Sequence, residues 1–208
     1  MTPHPSSDVA FTDAVRAVQA RRHARGVYAK LEARGDFRTA ITPDPTRFLA
    51  GVDTAYLATA SAAGQPYAQH RGGPKDFIRV LDGATLGFAD FAGNRQYVTT
   101  GNLSENDRAF LFLMDYAHRR RIKLWGRARA VEGDEALIAR LMLPDYQARP
   151  EQAILFTVEA WDMNCPQHIP QKFDAAEVAE TLQDLQKRLA AAEAETARLR
   201  TELAGRQP

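Results

Sequence analysis

Residues 69–103 read QHRGGPKDFIRVLDGATLGFADFAGNRQYVTTGNL, and this stretch decides the fold. It alternates short apolar segments, typical of strands, with two patches rich in Arg, Gly, Asn and Gln. The pair Asp82-Gly83 separates two apolar runs, which is a strong hairpin signal. Strands need no such polar patches for their own packing, so the stretch predicts a β framework that carries a site for an anionic, planar cofactor.

The neighbouring sequence continues the β pattern in both directions. Short apolar or alternating segments separated by turn residues predict strands. These segments are residues 54–60, 67–70, 77–81, 85–89, 109–114, 122–131 and 154–162, with a short helix over 135–143. About six strands at short spacing, with little helix between them, predict a closed antiparallel barrel.

Helices are predicted at both ends of the barrel. One N-terminal helix begins at Asp8 or Thr12, is weakened at Gly26 and ends at Gly35, and a second, short helix covers residues 44–50. After the last strand, apolar residues recur at alternating spacings of four and three, the pattern of a coiled coil. They are Val178, Leu182, Leu185, Leu189, Ala192, Thr196, Leu199 and Leu203. The tail predicts intermolecular pairing, with packing on its own barrel as the alternative.

Composition excludes several classes of protein. The 208 residues carry 27 Lys and Arg against 26 Asp and Glu, a net charge of +1 that does not favour nucleic acid as a partner. The single cysteine, Cys165, forms no internal disulfide and indicates a reducing compartment. No stretch approaches the length of a membrane span, so we expect a cytoplasmic protein without membrane contact.

The basic and glycine-rich patches contain the components of a phosphate site. Arg71 and Arg95 lie beside Gly72-Gly73 and Gly93-Asn94, so that charged donors stand next to backbone that a ligand can approach closely. Neither GxGxxG before a helix nor GxxxxGK[ST] occurs in the chain, which argues against Rossmann and P-loop nucleotide sites. Arg79 is a further candidate for this site, whereas Lys75 is interpreted as a solvated surface residue, the more common role of a lone cation on a strand.

Three ordered motifs carry a resemblance to a known family. RGGPKDF at 71–77, ADFAGNRQ at 89–96 and WDMNCPQHI at 161–169 are similar to motifs in the FMN-binding split barrels of the pyridoxamine 5'-phosphate oxidase family. The resemblance covers about residues 40–172. It implies a six-stranded antiparallel Greek-key barrel that forms a homodimer, with FMN in clefts shared by both subunits. The corresponding domains are an N-terminal helical segment (1–40), the barrel (41–173) and a C-terminal coiled-coil helix (174–208).

The resemblance also implies roles for individual residues. Arg71, with Gln69 beside it, and the segment Asn94-Arg95-Gln96 correspond to the positions that hold the flavin phosphate. Gln96 stands where a Lys is usual, so Arg79 or Lys75 would supply part of the charge. Arg121 corresponds to a residue that reaches the flavin of the partner subunit. Trp125 either packs against the isoalloxazine ring or is an ordinary aromatic residue of the barrel, and the two interpretations have equal weight.

The motif at 161–169 contributes the candidates for an active site. Gln167 and His168 are the preferred residues, because an amide and an imidazole can hydrogen-bond a flavin edge or a substrate. Cys165 is redox-active only if it is exposed with a lowered pKa. The histidines have no metal-ligand spacing, so no metal is predicted.

The sequence therefore predicts an FMN-dependent oxidoreductase with a small-molecule substrate, and NAD(P)H as a possible reductant. Pyridoxamine phosphate is disfavoured as that substrate, since the basic C-terminal segment that it requires is not found. The alternatives are a non-enzymatic flavin sensor whose output is the coiled coil, and a split barrel that binds haem or a deazaflavin.

Overall fold

A computed structural model describes residues 5–164 and 166–205, with the side chain of Asn164 left aside. Contacts divide the chain into two compact units. One consists of Met1–Asp115 with Arg119–His168, and the other of Tyr116–His118 with Ile169–Pro208. Cys165 and the last three residues of the predicted coiled coil lie outside the described residues.

The first unit is built on a single antiparallel sheet of seven strands. The strands are β1 (Thr54–Ala60), β2 (Pro66–Gly72), β3 (Arg79–Val80), β4 (Thr85–Phe91), β5 (Arg108–Asp115), β6 (Arg120–Val131) and β7 (Pro150–Asn164). Their order is β2-β1-β5-β6-β7-β4-β3. The predicted class, mainly antiparallel β with flanking helices, is confirmed, but the implied count of six strands is wrong. Each of the seven predicted segments overlaps an observed strand, and the shortest strand, β3 within segment 77–81, pairs with β4 through only two residues.

The sheet curls until its two ends meet. In a flat sheet β2 and β4 would lie about 24 Å apart, five strand spacings, which no Arg and Asp side chains can bridge. Arg71 on β2 nevertheless forms an ion pair with Asp90 on β4. Inward-facing side chains from β1, β4, β5, β6 and β7 join one apolar core, including Leu57, Leu86 and Leu111. Side chains thus close the barrel where the backbone ladder stops.

The two longest strands bend at a bulge. Trp125 of β6 pairs with Ala160, but the next residue, Gly126, pairs with Val158, so Glu159 is an extra residue on β7. A Cβ at position 126 would lie 2.0 Å from the carbonyl oxygen of Thr157. Only glycine fits where the two backbones approach this closely.

Six α-helices accompany the sheet in the described residues. They are α1 (Asp13–Arg21), α2 (Arg25–Ala33), α3 (Pro43–Ala50), α4 (Val98–Glu105), α5 (Glu135–Leu141) and α6 (Ala175–Ala204). Among the described helices, none combines the length and apolar character that a membrane crossing requires.

The prediction of one continuous N-terminal helix is wrong. His23 adopts a left-handed conformation with φ of 57°, which interrupts the helix between α1 and α2. The predicted stop at Gly35 is confirmed, since α2 ends at Ala33 and Gly35 has φ of 126°. Beyond it, Phe37 stacks on Trp125 at 5.2 Å between ring centroids and attaches this segment to the outer face of β6.

Helix α4 has no counterpart among the predicted elements. Its sequence VTTGNLSE holds two Thr, a Val and a Gly, residues with low helix propensity, and shows almost no amphipathic pattern. Tertiary contacts hold it, because Thr99, Asn102 and Leu103 are buried. Asn102 donates to the hydroxyl of Thr59 on β1 at 3.0 Å.

The bulge generates the first testable prediction. Gly126→Ala places a methyl group against the Thr157 carbonyl, so we expect the free energy of unfolding to fall by about 1–3 kcal/mol or more. Gly101→Ala is the matched control, because no atom lies within 4 Å of a Cβ at that position in α4. We expect it to be neutral or to add up to about 1 kcal/mol. Urea denaturation of both variants measures the difference, and equal midpoints would contradict the close approach at Gly126.

The ion pair between Arg71 and Asp90 leads to a second testable prediction. Arg71→Ala leaves Asp90 without its cation, so we expect a loss of about 3 kcal/mol in unfolding free energy. Arg127→Ala is the control. Arg127 pairs with two carboxylates, Asp107 and Glu159, but its side chain is 47% exposed, whereas that of Arg71 is 12% exposed. Loss of the Arg127 side chain should cost less than about 1 kcal/mol. Similar denaturation midpoints for the two variants would show that the Arg71 pair does not hold the barrel closed.

Candidate functional site

A small cavity lies where β2 meets the end of β4, and it collects most of the predicted phosphate residues. Its volume is about 40 Å³, room for a few water-sized groups and not for a three-ring system. Its walls come from β2, the end of β4, the loop that follows and the start of α4. The lining residues are Gln69, Arg71, Asp90, Phe91, Gly93, Asn94, Arg95, Tyr97, Thr99, Thr100 and Glu151.

The charge of Arg71 is already balanced within the protein. Gln69 and Arg71 lie two positions apart on β2 and therefore on the same face. The guanidinium pairs with Asp90, and its Nη2 donates to Oε1 of Gln69 at 3.0 Å. The pair is nearly buried, with side-chain exposures of 12% and 11%. Arg71 Nε is buried without a hydrogen-bond partner among the described residues, so one donor remains unused.

Hydroxyl and amide groups extend this pair into a network. Gln152 on β7 donates from Nε2 to Oδ2 of Asp90 at 2.8 Å and to the hydroxyl of Thr100 at 2.9 Å. Thr99 donates from its hydroxyl to Oε1 of Gln69 at 2.8 Å. Strands from both ends of the sheet are thereby tied to the first turn of α4. The network holds the cavity wall in one arrangement.

Arg95, in the loop between β4 and α4, has a different environment from that of Arg71. Asn94 and Gln96 bond to each other, with the Gln96 amide N donating to Asn94 Oδ1 at 3.1 Å. Arg95 and Tyr97 both adopt left-handed backbone conformations, with φ of 60° and 51°. Such conformations cost energy in residues with a Cβ and concentrate at functional sites. Across the described part of the chain, the exposed Arg95 side chain has no hydrogen bond or ion pair, so its donors are available to a ligand.

The N-terminus of α4 adds a second source of positive potential. Tyr97 occupies the N-cap position, and no side chain caps the helix. The first N–H groups of a helix have no intrahelical acceptors and carry the positive end of the helix dipole. Thr99 and Thr100, in this first turn, line the same cavity as Arg95. A phosphate group fits this set of donors.

The remaining predicted residues lie away from this cavity. Arg79 pairs with Asp76 in the loop before β3, and Gln96 reaches the site only through Asn94. Arg121, at the start of β6, has a buried Nε without a partner among the described residues. Gln167 and His168 are exposed in a turn, where His168 has φ of 61°.

Trp125 lies in a separate groove on the outer face of the barrel. Phe37 stacks on one face of the indole, Phe110 packs at 5.2 Å, and Nζ of Lys123 lies 5.1 Å from the ring centroid. The groove beside it is lined by residues of β1, β5 and β6 together with Val9. Within one chain, the structure does not bring Trp125 together with Arg95.

Sequence reasoning missed four residues of the hydrogen-bond network, Asp90, Gln152, Thr99 and Thr100, and three further residues that line the cavity, Phe91, Tyr97 and Glu151. Asp90 gave a usable signal, because it is a charged residue inside the apolar strand LGFADF and buried charges require partners. Gln152 could not be matched to it without the pairing of β4 with β7. The two threonines belong to the unpredicted helix α4. Within the described residues, no group of three or more His, Cys, Asp or Glu side chains is placed to hold a metal.

Several solved structures resemble the chain at low identity. A HupZ variant from group A Streptococcus is 21% identical, with 60% of this chain and 99% of that chain covered and a TM-score of 0.46. A putative pyridoxamine 5'-phosphate oxidase from Lactobacillus delbrueckii is 18% identical (60% and 95% covered, TM-score 0.47). An FMN-binding protein from Syntrophomonas wolfei is 14% identical (75% and 98% covered, TM-score 0.44). At TM-scores below 0.5, these similarities support no argument about function.

The family assignment comes from the sequence itself. A search of curated protein sequences found no significant match. The family model described as pyridoxamine 5'-phosphate oxidase matches residues 41–165, which is 125 of the 208 residues. This range contains the whole seven-stranded sheet and the cavity between β2 and α4. The chain therefore belongs to the pyridoxamine 5'-phosphate oxidase family.

Proposed function

We propose that the cavity binds the phosphate end of FMN and that the protein is an FMN-dependent oxidoreductase. One observation carries the proposal: the guanidinium of Arg95, unpaired among the described residues, and the uncapped N-terminus of α4 face the same phosphate-sized cavity. Family membership supports the choice of a flavin over other phosphorylated ligands. Under this proposal Arg95, the amides at the start of α4 and the Thr99 and Thr100 hydroxyls bind the phosphate.

Arg71 has a different role in this proposal. Its guanidinium is committed to Asp90 and Gln69, so it positions the wall of the cavity and does not supply the charge that binds the phosphate. The carboxylate of Asp90 is in turn neutralised by Arg71 and hydrogen-bonded by Gln152. This pairing limits the repulsion that a buried carboxylate would exert on a phosphate. Arg95 therefore provides the charge that binds the ligand.

In this proposal the rest of the cofactor lies outside the cavity. A volume of about 40 Å³ has room for the phosphate but not for the isoalloxazine, so we propose that the ring lies on the surface of the chain. We propose that a second copy covers the ring in a homodimer. Arg121, Trp125, Gln167 and His168 are then candidates to contact the ring or the substrate, because none of them lines the phosphate cavity of its own chain.

When bound, FMN supplies two-electron transfer between a small-molecule substrate and a second reactant such as NAD(P)H. The contribution of the chain is to hold the phosphate and to orient the ring against the substrate. Arg121 is suited to the ring edge, since its buried Nε is a donor with no partner in the described structure. A fixed donor of this kind changes the electron affinity of the group that it contacts.

Binding of FMN is tested with the full-length protein. We expect FMN to raise the melting temperature and the bound sample to absorb in the visible range as an oxidised flavin. Arg95→Ala should weaken FMN by about 1.5–3 kcal/mol, the value of a charged hydrogen bond, which is roughly a 10- to 150-fold increase in Kd. Fluorescence titration measures both proteins.

Arg47→Ala is the matched control for this titration. Arg47 lies on α3, is 73% exposed and pairs with Asp44, so its removal should leave the Kd unchanged. An unchanged Kd in Arg95→Ala would remove Arg95 from the site. A melting temperature that does not change with FMN would refute flavin binding. A preference for haem or a deazaflavin would appear as tighter binding when that ligand replaces FMN in the titration.

Enzymatic activity is tested separately. We expect NADH or NADPH to bleach the visible absorbance of the bound flavin under anaerobic conditions, and a panel of oxidants to restore it with turnover. Free FMN at the same concentration is the control. A protein that binds FMN but is bleached no faster than free FMN by either nucleotide would instead support the non-enzymatic flavin sensor.

A further inference from the structure

The helix α6 carries a stripe of exposed apolar residues, which are Val178, Leu182, Leu185, Leu189, Leu199 and Leu203. The helix is 30 residues long, and every one of its residues is exposed. Exposure along the stripe ranges from 43% at Val178 to 66% at Leu203. An isolated helix gains little from propensity alone, and most helical stability in proteins comes from packing of an apolar face. The stripe therefore requires a partner.

The stripe has the geometry of a two-helix seam. Its residues fall at positions a and d of successive heptads, with Leu182 and Leu189 at a and Leu185 and Leu199 at d. Thr196 is the polar member of the seam. Its hydroxyl donates to the carbonyl oxygen of Ala192 at 2.7 Å, one turn earlier on the same helix. Burial of Thr196 in a seam therefore leaves no donor unsatisfied.

The charges that flank the stripe identify the partner. In a parallel pair of helices, each g position faces the e position of the following heptad on the other helix. Arg188 at g then faces Glu193 at e, and Glu195 at g faces Arg200 at e, each twice by symmetry. Both contacts are attractive when the partner is an identical helix in register. The helix is complementary to a second copy of itself.

We propose that α6 forms a parallel, in-register, two-stranded coiled coil with α6 of a second copy of this chain. An antiparallel pair with the same overlap would set e against e and g against g, which leaves Arg188 facing Glu195 as the attractive contact. The parallel pair makes both kinds of attractive contact and opposes no like charges at these positions. Parallel and antiparallel pairs of identical helices both have two-fold symmetry, so the flanking charges, and not the symmetry, select the direction. The proposal rests on α6 alone and is independent of flavin binding.

Cysteine cross-linking in the full-length protein tests both pairing and direction. In a Cys165→Ser background, Leu185→Cys places identical d positions opposite each other only in the parallel, in-register arrangement. We expect disulfide-linked dimers to form at least about tenfold faster than with Gln183→Cys, an outward b position on the same turn. Equal rates for the two variants would overturn the proposal, whether α6 packs on its own barrel or pairs in the antiparallel direction.

Charge exchange provides a second test that does not alter the seam. Arg200→Glu opposes Glu195 of the other copy, so we expect slower disulfide cross-linking when this change is added to the Leu185→Cys variant. Adding Glu195→Arg restores opposite charges at that contact and should recover most of the rate. If the combination with Glu195→Arg is no faster than Arg200→Glu alone, the interhelical pairing of these two residues is contradicted.

Discussion

The ion pair between Arg71 and Asp90 closes the barrel and shapes the candidate site. It joins β2 at one edge of the sheet to β4 near the other, where no backbone ladder continues. A nearly buried pair stabilises a fold only if its remaining donors and acceptors are satisfied. Gln69 and Gln152 provide most of those bonds. Closure of the barrel at this point also creates the cavity, because it brings β2 against the loop that precedes α4.

The two arginines of the cavity illustrate why charge alone does not define a ligand site. Arg71 is nearly buried, so its cation has to be neutralised inside the protein, and Asp90 does so. Arg95 lies on an exposed loop with a left-handed backbone, where water can solvate its guanidinium without a partner inside the protein. The same residue type therefore holds the architecture in one position and is available for binding in the other. The hydroxyl of Thr99 donates to Gln69 and that of Thr100 accepts from Gln152, so the first turn of α4 is tied to the residues that surround the Arg71 pair.

The two units of the chain reach stability in different ways. The barrel has a core of its own, with fully buried side chains such as Leu57, Leu124 and Phe156. Helix α6 has no buried residue, and we propose that its apolar stripe and flanking charges pair with a second copy of the chain. Under these proposals the barrel holds the ligand site and α6 selects the partner. Each can be tested without changing the other.

Local periodicity and turn chemistry are enough to predict the strands with alternating or continuous apolar runs, the turn at Asp82-Gly83 and the extent of α6. The sequence also identified Gln69, Arg71, Asn94 and Arg95, which the structure brings to one cavity. Only the tertiary structure decided the rest. Helix α4 forms against its local propensities because burial of its side chains outweighs them. Asp90 acquires Arg71 as its partner through closure of the sheet, a contact between residues 19 positions apart that no local pattern encodes.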